Sequence, residues 1–148
     1  MDFRIQPIGL IHTPFKTLAD TPIQSSRSNA SGEIEVFSQY EQGLESLDGL
    51  SHIFLIYVFH HALDSQDLMV KPLLDKKKHG VFSTRYFRRP NPIGLSIVRL
   101  IRRDGLRLHI QSVDMLDATP LIDIKPYVPE FDIRVVEKIG WYDNRAYS

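Results

Sequence analysis

The chain contains no cysteine, which excludes disulfides, thiolate nucleophiles and cysteine-held zinc or iron–sulfur clusters. It carries no net charge, since 18 Lys and Arg balance 18 Asp and Glu, so it is not a polycation that binds any nucleic acid indiscriminately. No apolar run is long enough to cross a bilayer as a helix. The opening "MDFRIQPIGLIHTPF" lacks a hydrophobic stretch of signal-peptide length, and a cytoplasmic, membrane-free protein is expected. There is no G-x-G-x-x-G after a strand and no G-x-x-x-x-G-K-[ST], which removes a Rossmann site and a P-loop. H-E-x-x-H and other tight His/Asp clusters are missing too, so no metal is expected. A Ser-His-Asp set could be assembled from Ser83 or Ser96 with His60, His61, Asp117 or Asp123, but no G-x-S-x-G elbow supports it.

What is present is a chain of 148 residues, 43% hydrophobic, enough for one domain over residues 1–148 with a sizeable core. Charge is unevenly spread. Residues 71–107 hold 11 of the 18 Lys and Arg against only Asp75 and Asp104. Such a basic stretch either attracts phosphates or is a solvated face balanced by the acidic ends.

Short strand-like runs dominate. "FRIQPIGLIH", interrupted by Pro7 and Gly9, fits an edge or bulged strand. A Ser/Thr/Asn-rich loop over residues 16–32 follows, long enough to suggest function. "GEIEVF" reads as a strand, and "SQYEQGLESLDGL" as the one good helix candidate, with Ser38 as cap and Glu41 three residues on. "HIFLIYVFHH" reads as a central buried strand, whose alternation would send His60 and His61 to opposite faces. Asp104-Gly105 between two strand-like runs is the strongest hairpin signal. "TPLIDIKPYVPEFD" reads as a short strand broken by prolines, and "IRVVEKIGWYD" alternates once more. Many short strands joined by turns too short for helical crossovers predict an all-β fold. The expectation is a mostly antiparallel β-barrel with one or two short helices.

Residues 88–96, "RRPNPIGLS", are unusually stiff. Pro90 and Pro92 fix their own φ and push Arg89 and Asn91 out of the helical region, giving an extended rail that offers carbonyls without the usual donors. Gly94 then permits a close approach. A second rail lies around Pro120, Pro126 and Pro129. Two stiff polar rails fit either the preorganised wall of a pocket or two rigid loops at a barrel rim.

"GVFSTRYFRRPNPIGLSIVRL" and "VDMLDATPLIDIKPYVPEFD", with "IGLIHTPFK", "TPIQ" and "LDGLSHIFLIYVFHHA" upstream, closely resemble the signature blocks of the TsaA-like family, also called TrmO or YaeB-like. The resemblance implies a β-barrel methyltransferase using S-adenosylmethionine, a homodimer that methylates the exocyclic amine of threonylcarbamoyladenosine beside the tRNA anticodon. It implies cofactor contacts at Gln24, His60, His61, Arg85 and Leu95, with Leu121, Ile122, Asp123 and Ile124 as a backbone wall. Asp117 and Asp123 are the candidate catalytic carboxylates. Arg88, Arg89, Asn91, Lys125 and Tyr127 are candidates for substrate or tRNA. Two departures from the family's pattern stand out: Tyr86-Phe87-Arg88 replaces serine-proline-histidine, and Ala118 replaces a glycine. A methyltransferase on another substrate and a non-catalytic S-adenosylmethionine-binding module are the alternatives.

Overall fold

The computed structural model describes residues 1–144. Six strands close into a barrel: β1 (Gly9–His12), β2 (Ser31–Val36), β3 (His52–Val58), β6 (Ile93–Asp104), β7 (Arg107–Gln111) and β8 (Thr119–Pro126), in the order β1-β2-β7-β6-β3-β8. All pairings are antiparallel, and β1 joins β8 to complete the circle. The expected edge strand is therefore no edge. β4 (Met69–Val70) and β5 (His79–Gly80) form a separate two-stranded ladder.

The barrel follows from alternation. Along β6, Gly94, Ser96, Val98 and Leu100 are buried while Ile93, Leu95, Ile97 and Arg99 are exposed, the period that puts successive side chains on opposite faces. β3 contributes Ile53, Leu55 and Tyr57 to the same interior, where they meet Ile11, Ile34, Leu108, Ile110 and Leu121. Each fully buried aliphatic side chain contributes about 1.5–3 kcal/mol relative to exposure. The Asp104-Gly105 hairpin forms as expected, pairing Asp104 with Arg107, with Gly105 at φ +61°.

Four local expectations are corrected. The helix over residues 38–50 is instead two 3₁₀ segments, Ser38–Leu44 and Leu47–Gly49, separated by Ser46 at φ +70°. Phe37, not Ser38, precedes the first of them, and no side chain caps it. β8 is not broken by its prolines, because Pro120 and Pro126 fall near its two ends, where a missing N–H is tolerated. The run from Ile133 forms no ladder; it follows one α-helical turn, α1 (Pro129–Asp132), and leads to a 3₁₀ segment, Gly140–Asn144. Finally, β3 ends at Val58, so His60 and His61 sit in a turn closed by the Ala62 amide donating to the Phe59 carbonyl (2.9 Å).

Candidate functional site

One end of the barrel opens into a cleft of about 670 Å³, within the range of small-molecule sites. Its floor is the inward end of β3 and β6, Tyr57 and Gly94. Its walls are loops carrying Pro22, Gln24, Phe59, Leu73, Arg85 and Phe87, with Trp141 and Tyr142 from the end of the described chain.

The proline rail is part of this wall. The carbonyl of Pro92 accepts the Phe59 amide at 2.7 Å, so the rail holds the 59–62 turn against the barrel. Gly94 is required by what faces it: a Cβ there would lie 2.3 and 2.6 Å from the Tyr57 ring. Arg89 stiffens the preceding loop by donating to the carbonyls of Thr84 (2.9 Å) and Tyr86 (3.1 Å). The two unusual aromatics also serve packing. Phe87 meets Phe59 edge-on at 6.2 Å, and Phe59 meets Tyr57 at 5.6 Å.

The structure gathers Gln24, His60, His61, Arg85, Arg89, Asn91 and Leu95 around the cleft. Arg85 Nη1 donates to Gln24 Oε1 (3.0 Å), linking two wall loops. The His60 and His61 rings lie 4.2 Å apart, tilted by 48°, because a turn rather than a strand carries them. Burial, then the neighbouring His61, hold His60 below the usual imidazole range, so it favours the neutral ring.

Other expected residues lie elsewhere. Leu121 is fully buried in the barrel core, and Ile124 packs against that core. Ile122 is the extra residue at a register shift between Ile56 and Tyr57. Asp123 pairs with Lys125 (3.1 Å), and Tyr127 packs edge-on against Phe54 (5.5 Å). None of Leu121, Ile122, Asp123, Ile124, Lys125 and Tyr127, nor Arg88, lines the cleft; Arg88 is tied to Asp67 at 2.9 Å. Asp117 is outside it as well. It accepts the Thr13 amide (2.9 Å) and pairs with Lys16 (2.5 Å), which holds its carboxyl below the usual range.

In place of that wall the structure offers Asp114, Met115, Leu116 and Thr119. Asp114 is the only Asp or Glu among the described residues lining the cleft. Its Oδ1 accepts a 2.5 Å bond from Ser96 Oγ, whose oxygen lies 2.8 Å from the Tyr57 hydroxyl. Burial pushes its carboxyl up to about 6, even though Ser96, nearby amides and Arg85 act against it. Burial likewise pushes the Tyr57 phenol well above its usual value. In the sequence, only its apolar neighbours in "SVDML" mark Asp114 as an acid to be buried.

An aromatic rim borders the cleft. Trp141 stacks on His79 (4.6 Å, 16°) and on Tyr142 (4.0 Å, 24°), and its indole N–H donates to the Ser83 carbonyl at 2.8 Å. Beside His79 lie Lys76, Lys77 and Lys78, which form no ion pair with another described residue, whereas Arg102 and Arg107 are matched by Asp104 and Glu33. Among the described residues only Arg88, Arg102 and Arg107 of the eleven Lys and Arg in the basic stretch form ion pairs. Among the described residues no group of three His, Asp or Glu side chains could hold a metal, and no helix is long and apolar enough to cross a membrane.

Fold and cleft together define a small closed β-barrel with a loop-walled cleft at one end. Residues 10–133 match the tRNA-methyltransferase O N-terminal domain family, and the chain belongs to it. A probable S-adenosyl-L-methionine-binding protein of Pyrococcus abyssi is 51% identical over 144 residues, 97% of this chain and 78% of that protein. The tRNA (adenine(37)-N6)-methyltransferase of Escherichia coli is 35% identical over 137 residues, 86% of this chain but 58% of its own length. A crystal structure of TrmO superposes with a TM-score of 0.80 at 38% identity, covering 95% of this chain and 64% of that one. The chain therefore spans somewhat under two thirds of the latter two proteins.

Proposed function

We propose that the protein binds S-adenosylmethionine in the cleft and transfers its methyl group to the exocyclic amine of an adenine in tRNA. The observation that supports this best is the convergence of Gln24, His60, His61, Arg85 and Leu95, far apart in sequence, on one cleft. The cleft also fits such a ligand chemically. Phe59, Leu73 and Phe87 offer flat and aliphatic surface for an adenine, and Arg85 offers a forked donor for a carboxylate. Neutral His60 avoids setting a second positive charge beside a sulfonium.

When bound, S-adenosylmethionine supplies an electrophilic methyl group on positively charged sulfur. The protein's part is to align donor and acceptor and keep water away. The apolar walls exclude water. The proline rail and Arg89 hold the 84–94 loop in one shape before the ligand arrives, which lowers the ordering cost of binding.

The finer substrate we infer is threonylcarbamoyladenosine next to the anticodon. The name of the E. coli relative specifies an adenine at position 37, and the motif resemblance points to the carbamoylated form. We also infer a homodimer. Phe54 on β3 stands opposite Ile97 on β6, and Ile101 is exposed farther along β6, an apolar outer strip away from the cleft that a second copy would cover isologously. Monomers only, at micromolar concentration in sedimentation velocity, would end that inference.

The testing experiment is calorimetric titration with S-adenosylmethionine, repeated with Leu95→Asp. One saturable site per chain, lost in the variant, is expected, followed by methyl transfer to tRNA bearing threonylcarbamoyladenosine and none to tRNA lacking it. Absence of binding by the unaltered protein would overturn the reading.

A further inference from the structure

The donor order in the Tyr57, Ser96 and Asp114 cluster is fixed by chemistry. Ser96 Oγ lies 2.5 Å from the Asp114 carboxylate oxygen. An ionised carboxylate can only accept, so the serine proton points at Asp114. Ser96 must then accept from Tyr57, whose hydroxyl is 2.8 Å away and keeps its proton because burial disfavours phenolate. The result is a one-way donor chain, Tyr57 to Ser96 to Asp114, mounted on β3 and β6. Those strands pair with each other through seven consecutive register positions. The chain orients the carboxylate from behind while Asp114 remains in the lining of the cleft.

We propose that Asp114 accepts the proton released by the methylated amine, and that Ser96 and Tyr57 are the positioning residues that hold it for this task. The proposal rests on the methyl-transfer reading and deepens it. As the amine nitrogen forms its bond to the methyl carbon with its lone pair, the C–S electron pair returns to sulfur. The nitrogen, now formally cationic, releases its N–H proton to the Asp114 carboxylate. Charge and atoms balance: a sulfonium and a carboxylate become a neutral thioether and a carboxylic acid. An exocyclic adenine amine has its lone pair delocalised into the ring, so a nearby acceptor is of real value to the reaction.

Desolvation also suits the acceptor to its work. A carboxylate titrating near 6 is a stronger base than a solvated aspartate yet ionised at neutral pH. The charged and titratable groups facing it are Arg85, which favours ionisation, and Tyr57, which stays neutral; the backbone amides of Ser25 and Asp114 itself favour the anion. Asp117 and Asp123 cannot share the role, since neither lines the cleft. His60 and His61 line it too and are the rival acceptors.

The test combines single-turnover methyl transfer to unfractionated tRNA, calorimetric S-adenosylmethionine affinity, and carbon-13 NMR titration of the aspartate carboxyls. These would be run on the full chain and its Asp114→Asn, Ser96→Ala, Tyr57→Phe and His60→Gln variants. Asp114→Asn is expected to slow the methyl-transfer step about 100-fold or more while leaving the affinity within about 3-fold. The unaltered protein should show a rate rising through an acid limb near pH 6, and the Asp114 resonance should titrate in that same range. Ser96→Ala, which removes a donor to the anion, should move both the limb and the resonance upward together. Tyr57→Phe should do so to a smaller degree.

An Asp114→Asn variant that keeps its rate and acid limb, with His60→Gln losing them, would overturn the proposal in favour of histidine. So would equal losses of rate and affinity in Asp114→Asn, which would make Asp114 a ligand holder. An Asp114 resonance titrating in the ordinary carboxylate range would overturn it without reference to turnover. Failure of the unaltered protein to methylate any tRNA would instead remove the functional reading on which the proposal stands.

Discussion

Asp114 and Asp117 lie on one short connection between β7 and β8, three residues apart, and the fold treats them in opposite ways. Asp114 is turned into the protein toward a serine, and desolvation raises its carboxyl to about 6. Asp117 is turned toward Lys16 and the Thr13 amide, which lower its carboxyl. An acid's role is thus set by what the chain brings to it rather than by the motif in which it stands. A carboxylate already satisfied by a lysine and an amide is a tie between β1 and the β8 approach. One held short of full solvation is a reagent.

The two carboxylates should also push stability in opposite directions with pH. Asp114 has a folded value above its ordinary 3.8, so the unfolded chain loses the proton first. Its effect is absent below about pH 4, destabilises progressively as pH rises toward 6, and is constant above that. Asp117 has a folded value below 3.8. Its stabilisation is fully present above that ordinary value and is lost as pH falls through the folded one.

The largest expected effect comes from disturbing what lies under Asp114. Gly94→Ala drives a Cβ into the Tyr57 ring and should cost about 3 kcal/mol of stability, read by urea unfolding; a cost near zero would mean the ring moves freely and orients nothing. Asp114→Asn should raise stability at pH 7 by on the order of 2–3 kcal/mol and abolish the decline between about pH 4 and 6, seen in melting curves across that range. An unchanged pH profile would show Asp114 to be solvated. Asp117→Asn should do the reverse, costing about 0.5–1 kcal/mol because the Lys16 pair is exposed to solvent, and flattening the loss at acid pH; a neutral result would break the contrast. The smallest effect concerns His60. Because burial, then His61, hold His60 below the usual imidazole range, its protonation at a pH below that range adds positive charge to the cleft and should weaken S-adenosylmethionine about 3-fold. In an Asp114→Asn background, where the cleft's other titrating group is gone, His60→Gln should remove that dependence, and calorimetry at two pH values decides it.

The barrel was legible because its signals are local: alternation along β6, the apolar run of β3, and Asp104-Gly105, where β6 ends and the two-residue turn 105–106 begins. The 38–50 segment misled because capping residues do not force an α-helix when tertiary packing selects tighter turns broken by Ser46. His60 and His61 misled for a related reason: periodicity cannot say where a strand stops, and β3 ends two residues before them. In the cleft, Gln24, Arg85 and Leu95 were legible through motif resemblance. Asp114 was not, because desolvation and the Ser96 bond arise from residues distant in sequence. The resemblance puts residues 121–124 on the wall, yet alternation and a register shift turn Leu121 and Ile124 to the core.

Closure of the barrel has a further consequence, for descent with change. Every strand of the ring has two neighbours, so its backbone bonding is complete without help from the loops that line the cleft. Substitutions such as Tyr86 and Phe87 can therefore accumulate in those loops while the ring keeps its shape. A lineage built on this ring can exchange one methyl acceptor for another by rewriting the rim and leaving the ring's register untouched.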